Sequence, residues 1–241
     1  MLGLLSTIDH PLLPFQLKVL REVGIKDIVV FLDQKTFSSK NWAIWNRRTN
    51  GYFNPARSLE RSFSSNKYGK LPFYFVESHT SDDAINLYSS LDIQMLYNAG
   101  TPRKLTQAVI DSIPFGILNV HPGKLPEYRG CSCVEWAILN DDKIYNTVHL
   151  MDADYDSGPV LNSECYEFEK QSSYCDIRNT IYSRGCQLAA ISLSKIQNGQ
   201  IISNDATVQN EKVAKLWGPM PKELEQEAIQ KANDGLYRYQ L

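Results

Sequence analysis

The chain has 241 residues, 43% of them hydrophobic, a formal net charge of -2 and an isoelectric point near 6.1. That length carries one large or two small domains around a sizeable core, and the charge supplies no general basic surface, so nucleic acid is not the expected partner. No apolar run reaches the roughly 18 residues of a membrane span, the start lacks the basic stretch of a signal peptide, and five cysteines without a Cys-x-x-Cys pair predict reduced thiols, no metal site and a cytoplasmic location.

Leu2 to Ser6 reads as a strand, Pro14 to Val23 as a helix with Phe15, Leu17, Val19 and Leu20 on its apolar side, and Asp27 to Asp33 as a strand buried on both faces. This is a βαβ unit. The loop Ser6 to His10 lacks a glycine-rich phosphate cradle, but its place after the first strand makes His10 a candidate substrate contact. From Lys40 to Arg61 the aromatic residues Trp42, Trp45, Tyr52 and Phe53 alternate with Arg47, Arg48, Arg57 and Arg61. Such a mixture suits a nucleotide base and a diphosphate. The three-residue spacing of the tryptophans favours instead a surface helix that docks them on the core.

Strands follow at Leu71–Val76 and Asp92–Tyr97, with a helix at Asp82–Leu91 between them. The second of these strands ends in Asn98-Ala-Gly-Thr-Pro102, whose glycine and proline either let the backbone approach a flat heterocycle or make a plain turn. A helix is expected over Lys104–Ser112. The next strand carries Asn119 and His121, two residues apart and so on one face, and Pro122-Gly123 stops it at once. An amide and an imidazole therefore meet at a strand end. Downstream, Asp152, Asp154 and Asp156 crowd a loop that exits through Ser-Gly-Pro159; one of them could orient His121 and raise its pKa, or all three could be solvated. Cys133–Leu139 reads as a helix, and Asn146–Met151 alternates, so that His149 is expected to be a packed strand histidine with nothing adjacent to complete a site. Gly158–Leu161 restarts the sheet, Ser173–Gln197 forms a long amphipathic helix, and a charged helix spans Lys222–Asn233.

Taken together, Asn119-Val-His-Pro-Gly-Lys-Leu-Pro-Glu-Tyr-Arg-Gly130, Val134–Leu139, Thr147-Val-His-Leu-Met-Asp152 and Asp156-Ser-Gly-Pro159 resemble the folate-dependent formyltransferases. The resemblance implies a Rossmann-like α/β fold with a mostly parallel sheet, a catalytic domain over residues 1–200, and a short C-terminal extension over 201–241 that serves dimerisation. It implies catalytic roles for Asn119, His121 and Asp156 in moving a formyl group from 10-formyltetrahydrofolate to an amine. The folate would lie against Asn98, Gly100, Thr101, Pro102, Arg103 and Leu105 on one side and Asp152, Ala153, Asp154 and Tyr155 on the other. His10, Trp42, Arg47 and Arg129 are the candidate acceptor contacts.

Within the family, methionyl-tRNA formylation is expected to need a further C-terminal domain, and hydrolysis of formyltetrahydrofolate a regulatory N-terminal one. The purine-pathway enzyme carries a glycine-rich phosphate loop where this chain has Ser6–His10. The remaining expectation is a homodimeric enzyme that formylates a nucleotide-linked amino sugar such as dTDP-4-amino-4,6-dideoxyglucose for bacterial surface polysaccharide, including lipopolysaccharide O-antigen. A glycinamide ribonucleotide formyltransferase and a non-catalytic folate- or nucleotide-binding module are the alternatives.

Overall fold

A computed structural model describes residues 1–53, 71–201 and 205–241. Five strands lie parallel: β1 (Leu2–Thr7), β2 (Ile28–Asp33), β3 (Phe73–Val76), β4 (Met95–Asn98) and β5 (Ile117–His121). Two more, β7 (Ile144–Leu150) and β8 (Val160–Tyr166), add antiparallel, giving the order β3-β2-β1-β4-β5-β7-β8. A short parallel pair, β6 (Arg129–Gly130) and β9 (Leu216–Trp217), stands apart. The described helices are α1 (Leu13–Glu22), α2 (Ser39–Thr49), α3 (Asp82–Ser90), α4 (Gln107–Asp111), α5 (Cys133–Asn140), α6 (Tyr174–Gln197) and α7 (Lys222–Asn233). This is a mostly parallel α/β sheet with helices on both faces.

Period-two alternation divides the core. Leu4, Ile28, Val30 and Leu32 face α1 and α6, whereas Leu5, Val29 and Phe31 pack with Ala84 and Tyr88 of α3. A third cluster joins α5, α6, α7 and Tyr237, so residues near the end of the chain share a core with β7 and β8. Because β1 lies between β2 and β4, the chain reverses its direction of travel across the sheet there, and a crevice opens between the carboxyl ends of β1 and β4.

Most expected elements form, with displaced ends. Asp92 adopts a left-handed φ of 52°, so β4 starts later than expected. The helix expected from Lys104 begins at Gln107, because the chain stays extended through Thr106 and Leu105 is buried beneath the preceding loop. The aromatic-basic stretch yields α2, capped by Ser38. Trp45 is buried, and its indole N–H donates to the Phe53 carbonyl at 3.3 Å. Trp42 is half-buried beside Phe37. Arg57 and Arg61 lie outside the described residues.

Three helices meet at one buried carboxylate. Glu135 of α5 accepts a hydrogen bond from the Tyr174 hydroxyl, and its Oε1 lies 3.4 Å from Arg48 Nε of α2 and 3.5 Å from Arg178 Nε of α6. Burial alone would raise this carboxyl, but Arg178 and Arg48 outweigh it and hold the pKa at about 2. Glu135→Gln would leave two guanidinium groups without their counter-charge, at a cost of about 3–5 kcal/mol measurable by urea unfolding. Because the folded pKa lies below the ordinary 4.5, the carboxylate's contribution is complete above pH 4.5 and is lost as pH falls towards 2. The wild-type chain should lose stability across that window more steeply than the variant.

Candidate active site

The antiparallel pairing of β5 with β7 sets Asn119 directly opposite His149, and His121 opposite Thr147. The Asn119 amide is oriented from both sides. The backbone N–H groups of Gly100 and Thr101 donate to Asn98 Oδ1 at 3.2 and 2.9 Å, so Asn98 Nδ2 is the end that donates to Asn119 Oδ1, at 3.0 Å. Asn119 Nδ2 in turn lies 3.0 Å from His149 Nε2. The other ring nitrogen of His149 faces the Leu150 carbonyl at 2.9 Å; a carbonyl only accepts, so Nδ1 carries the proton and Nε2 accepts from Asn119. His149 was expected to be packing alone; it instead completes the site, because a strand partner thirty residues earlier supplies the neighbour that its own segment lacks.

Asp156 reaches the same place from the acidic loop. It adopts a left-handed φ of 54°, accepts from the Gly130 backbone N–H at 2.9 Å, and brings Oδ2 within 3.3 Å of His121 Nδ1 and Oδ1 within 3.6 Å of His149 Nε2. Gln209 holds this turn, its Nε2 donating to the carbonyls of Asp156 and Gly158 at 2.8 and 2.7 Å. Burial would raise the Asp156 carboxyl, but nearby His121 and the Gly130 amide that donates to it help keep it below the usual range. His121 Nε2 donates to the Tyr128 carbonyl at 2.6 Å. A Cβ at position 123 would come within 2.6 Å of both atoms of that bond, which explains the glycine there.

Asp156 does push the pKa of His121 upward, as expected of a carboxylate, but the net direction is down. Burial lowers it, the attraction of Asp156 offsets that only in part, and His149 adds to the lowering. Burial thus shifts this ring towards its neutral form, with Nε2 on the Tyr128 carbonyl and Nδ1 facing the Asp156 carboxylate.

Two cavities meet at Asn119. One, of about 320 Å³, lies between the Asn98–Leu105 loop and the acidic loop and includes Thr101, Pro102, Arg103, Leu105, Asp152, Asp154, Tyr155 and Asp156. Of the residues expected there, Gly100 lines the neighbouring cavity instead, and Ala153 is exposed on the acidic loop. Asp152 anchors that loop by accepting from the Asp154 N–H and the Ser157 hydroxyl, and Lys104 lies over the exposed Tyr155 ring. The other cavity, of about 200 Å³, lies between the ends of β4 and β5, the loop after β1, α1 and α6, and includes His10, Gln16, Gly100, Val120 and Tyr182. Asn98, Thr101 and Asn119 belong to both.

The loop between the cavities is pinned by residues that sequence reading missed. Asp33, buried at the end of β2, accepts a forked pair of bonds from Arg103 at 2.7 and 3.1 Å and the backbone N–H groups of Lys35 and His79. His79 Nε2 donates to the Phe31 carbonyl, which leaves Nδ1 to accept from the Thr101 hydroxyl at 2.7 Å. A polar residue at the carboxyl end of a buried parallel strand was the available signal for Asp33.

Three expected acceptor contacts sit elsewhere. Arg129 is buried, with its guanidinium spent on Gln209 and a forked pair to Glu211, so it fastens the chain after residue 205 instead of lining a cavity. Arg47 forms an ion pair with Glu225 of α7 at 2.5 Å, and Trp42 packs on Phe37; neither borders the two cavities. His10 does, with its ring packed over Gly100 so closely that a Cβ there would fall within 2.3 Å. Among the described residues no cluster of three His, Cys, Asp or Glu side chains could hold a metal ion, the five cysteines are free thiols, and no helix is long and apolar enough to cross a membrane.

The model of the family described as formyl transferase matches residues 51–190, more than half of the chain. The chain belongs to the formyl transferase family. Its sequence is similar to the methionyl-tRNA formyltransferases of Borrelia duttonii (strain Ly), 33% identical over 120 residues covering 49% of this chain and 39% of that protein, and of Borrelia turicatae (strain 91E135), 34% identical over 134 residues covering 53% and 43%. The chain thus spans about two-fifths of the length of the formyltransferases it matches. In fold it is similar to an N-formyltransferase from Helicobacter canadensis in complex with folinic acid and dTDP-3-aminofucose, with a TM-score of 0.63 at 14% identity over 90% of this chain and 70% of that one. It is also similar to glycinamide ribonucleotide transformylase 1 from Symbiobacterium toebii, with a TM-score of 0.59 at 17% identity over 87% and 93%.

Half-buried His10 and buried His79 and His121 make the stability of this formyl transferase family member depend on acid. Burial pushes His10 down to about 4, against the weaker attraction of Asp9, and lowers His79 and His121 as well. Each takes up a proton on unfolding once pH drops below the ordinary 6.5, so stability present above 6.5 is lost as pH falls through the folded values. Calorimetry in buffers of different ionisation enthalpy should record proton uptake on unfolding that grows below pH 6.5, with about one proton less for His10→Gln as pH approaches 5.

Proposed function

We propose that the chain transfers a formyl group from 10-formyltetrahydrofolate, held in the cavity between the Asn98–Leu105 and acidic loops, to an amine entering from the crevice beyond β1. The observation that carries this reading is the meeting of two cavities at Asn119, beside a His121–Asp156 pair. The family match and the folinic acid in the Helicobacter canadensis protein support the folate.

Asn119, His121 and Asp156 carry the chemistry. A neutral amine attacks the formyl carbon, a carbon–nitrogen bond forms, and the carbonyl oxygen becomes an oxyanion that accepts from Asn119 Nδ2. The amine's proton passes to the Asp156–His121 pair, coming to rest on His121 Nδ1, where the carboxylate stabilises the imidazolium that forms. The bond from the formyl carbon to the folate N10 then breaks, and N10 takes the proton back. Products are a formamide and tetrahydrofolate, with no net change in protons. His121 thus begins neutral and becomes charged only when the oxyanion needs a nearby cation.

The acceptor is a nucleotide-linked amino sugar, with dTDP-4-amino-4,6-dideoxyglucose the first choice, and its product serves surface polysaccharide synthesis. The dTDP-linked amino sugar in the Helicobacter canadensis protein supports this class. So does the loop Ser6–His10, which lacks the glycines of a phosphate cradle. Pairing of two copies through the residues after 201 belongs to the same reading and is supported by the exposed apolar side chains Val208, Val213, Leu216, Leu236 and Leu241. Sedimentation should then give a dimer at micromolar concentration, and a monomer there would remove this element.

Asn119→Ala should lower kcat by about 10²- to 10³-fold while folding normally, as the loss of one oxyanion donor does. Single-turnover mixing with 10-formyltetrahydrofolate separates transfer from binding. Acceptors compared side by side should be dTDP- and UDP-linked amino sugars, glycinamide ribonucleotide and methionyl-tRNA; efficient formylation of only one of the last two would replace the sugar assignment. Binding of folate with no transfer to any amine would indicate a binding module.

A further inference from the structure

Resting on the reading of the crevice as the acceptor's place, the question is what that crevice recognises. Gln16 projects from α1 among the buried residues Leu13, Leu17 and Leu20, is itself only 4% exposed, and lines the cavity. One end of its amide is used, Nε2 donating to the buried Tyr97 hydroxyl at 3.3 Å. The other end, Oε1, is buried and has no partner among the described residues. Since a hydroxyl both donates and accepts, turning the amide over would satisfy Oε1 and leave Nε2 unpaired; either way one polar end has nothing to bond. The His10 ring lines the same cavity, and its Nδ1 is likewise buried without a partner among the described residues. A buried polar atom left unpaired costs about 1–3 kcal/mol, so two such atoms on residues that line one cavity favour a ligand that satisfies them.

The rest of the lining says what kind of ligand. Among the described residues no lysine, arginine, aspartate or glutamate borders this cavity, in contrast to the folate-side cavity with Arg103, Lys104 and three aspartates. A phosphate would find no counter-charge there. An ammonium would find no carboxylate, so an entering amine is favoured in its neutral, nucleophilic form. A ring hydroxyl, able to donate or accept, fits both Gln16 and His10.

We infer that Gln16, with His10, is the specificity-determining residue of the acceptor cavity, hydrogen-bonding the hydroxyl-bearing ring of the amino sugar while the phosphates stay outside it. The experiment compares kcat/KM of the wild-type chain for a nucleotide-linked amino sugar and for analogues that each lack one ring hydroxyl, then repeats the series with Gln16→Met. One analogue should be about tenfold poorer with the wild type, as the loss of a neutral hydrogen bond in a buried site implies. Gln16→Met should lose about the same factor for the full sugar, show no further loss for that analogue, and keep the wild-type KM for 10-formyltetrahydrofolate. A wild type indifferent to every hydroxyl, or a Gln16→Met chain that still discriminates, overturns the inference while sugar formylation itself stands. Should the variant not fold, the wild-type series alone decides. A wild type that formylates no amino sugar removes this inference together with the reading beneath it.

Discussion

The register of β7 against β5 is the constraint on which the rest of the site depends. Parallel pairing carries the sheet from β3 to β5, and the change to antiparallel at β7 lets a residue far along the chain face Asn119 across a single ladder step. A slip by one residue would turn His149 to the other face and leave the Asn119 amide without its acceptor. The bulge between Val148 and His149 lies in the pairing of β7 with β8, on the edge away from β5, so the irregularity spares the rungs that matter.

Around that rung the structure spends hydrogen bonds on loops more than on helices. The Asn98–Leu105 loop is tied to β2 through Asp33 and Arg103, and to β3's exit through His79. The acidic loop is tied to the chain beyond 205 through Gln209, which Arg129 holds in turn. Polar groups that pin loops on a rigid sheet suit a site where two ligands have to be brought together to within bonding distance. The buried Glu135 with its two arginines serves a different purpose, fixing three helices behind the crevice.

Much of the fold was legible in the sequence. The continuous apolar run Ile28–Leu32 marks a strand buried on both faces, and Pro122-Gly123 marks the end of β5 beside Asn119 and His121. The motif from Asn119 to Gly130 and the Asp-Ser-Gly-Pro turn led to the family on their own. What escaped is pairwise and long-range. His149 looks like packing until β5 lies beside it; Arg129 looks like a free cation until Glu211, distant in sequence, takes it. The downward shift of His121 could not be read either, because depth of burial outweighs the adjacent carboxylate and only the folded chain has depth.

The row of bonds from the Gly100 and Thr101 amides through Asn98 and Asn119 to His149 runs in one sense only, each group giving a proton to the next. Such a one-way series has no tolerated half-reversal: flipping a single carboxamide would set two donors, or two acceptors, against each other at both of its ends. The backbone at residues 100 and 101 therefore helps dictate, three groups away, which imidazole nitrogen stays bare. A displacement of that loop by an arriving ligand would be felt at His149 as a change of polarity, without any atom of the ligand touching the ring.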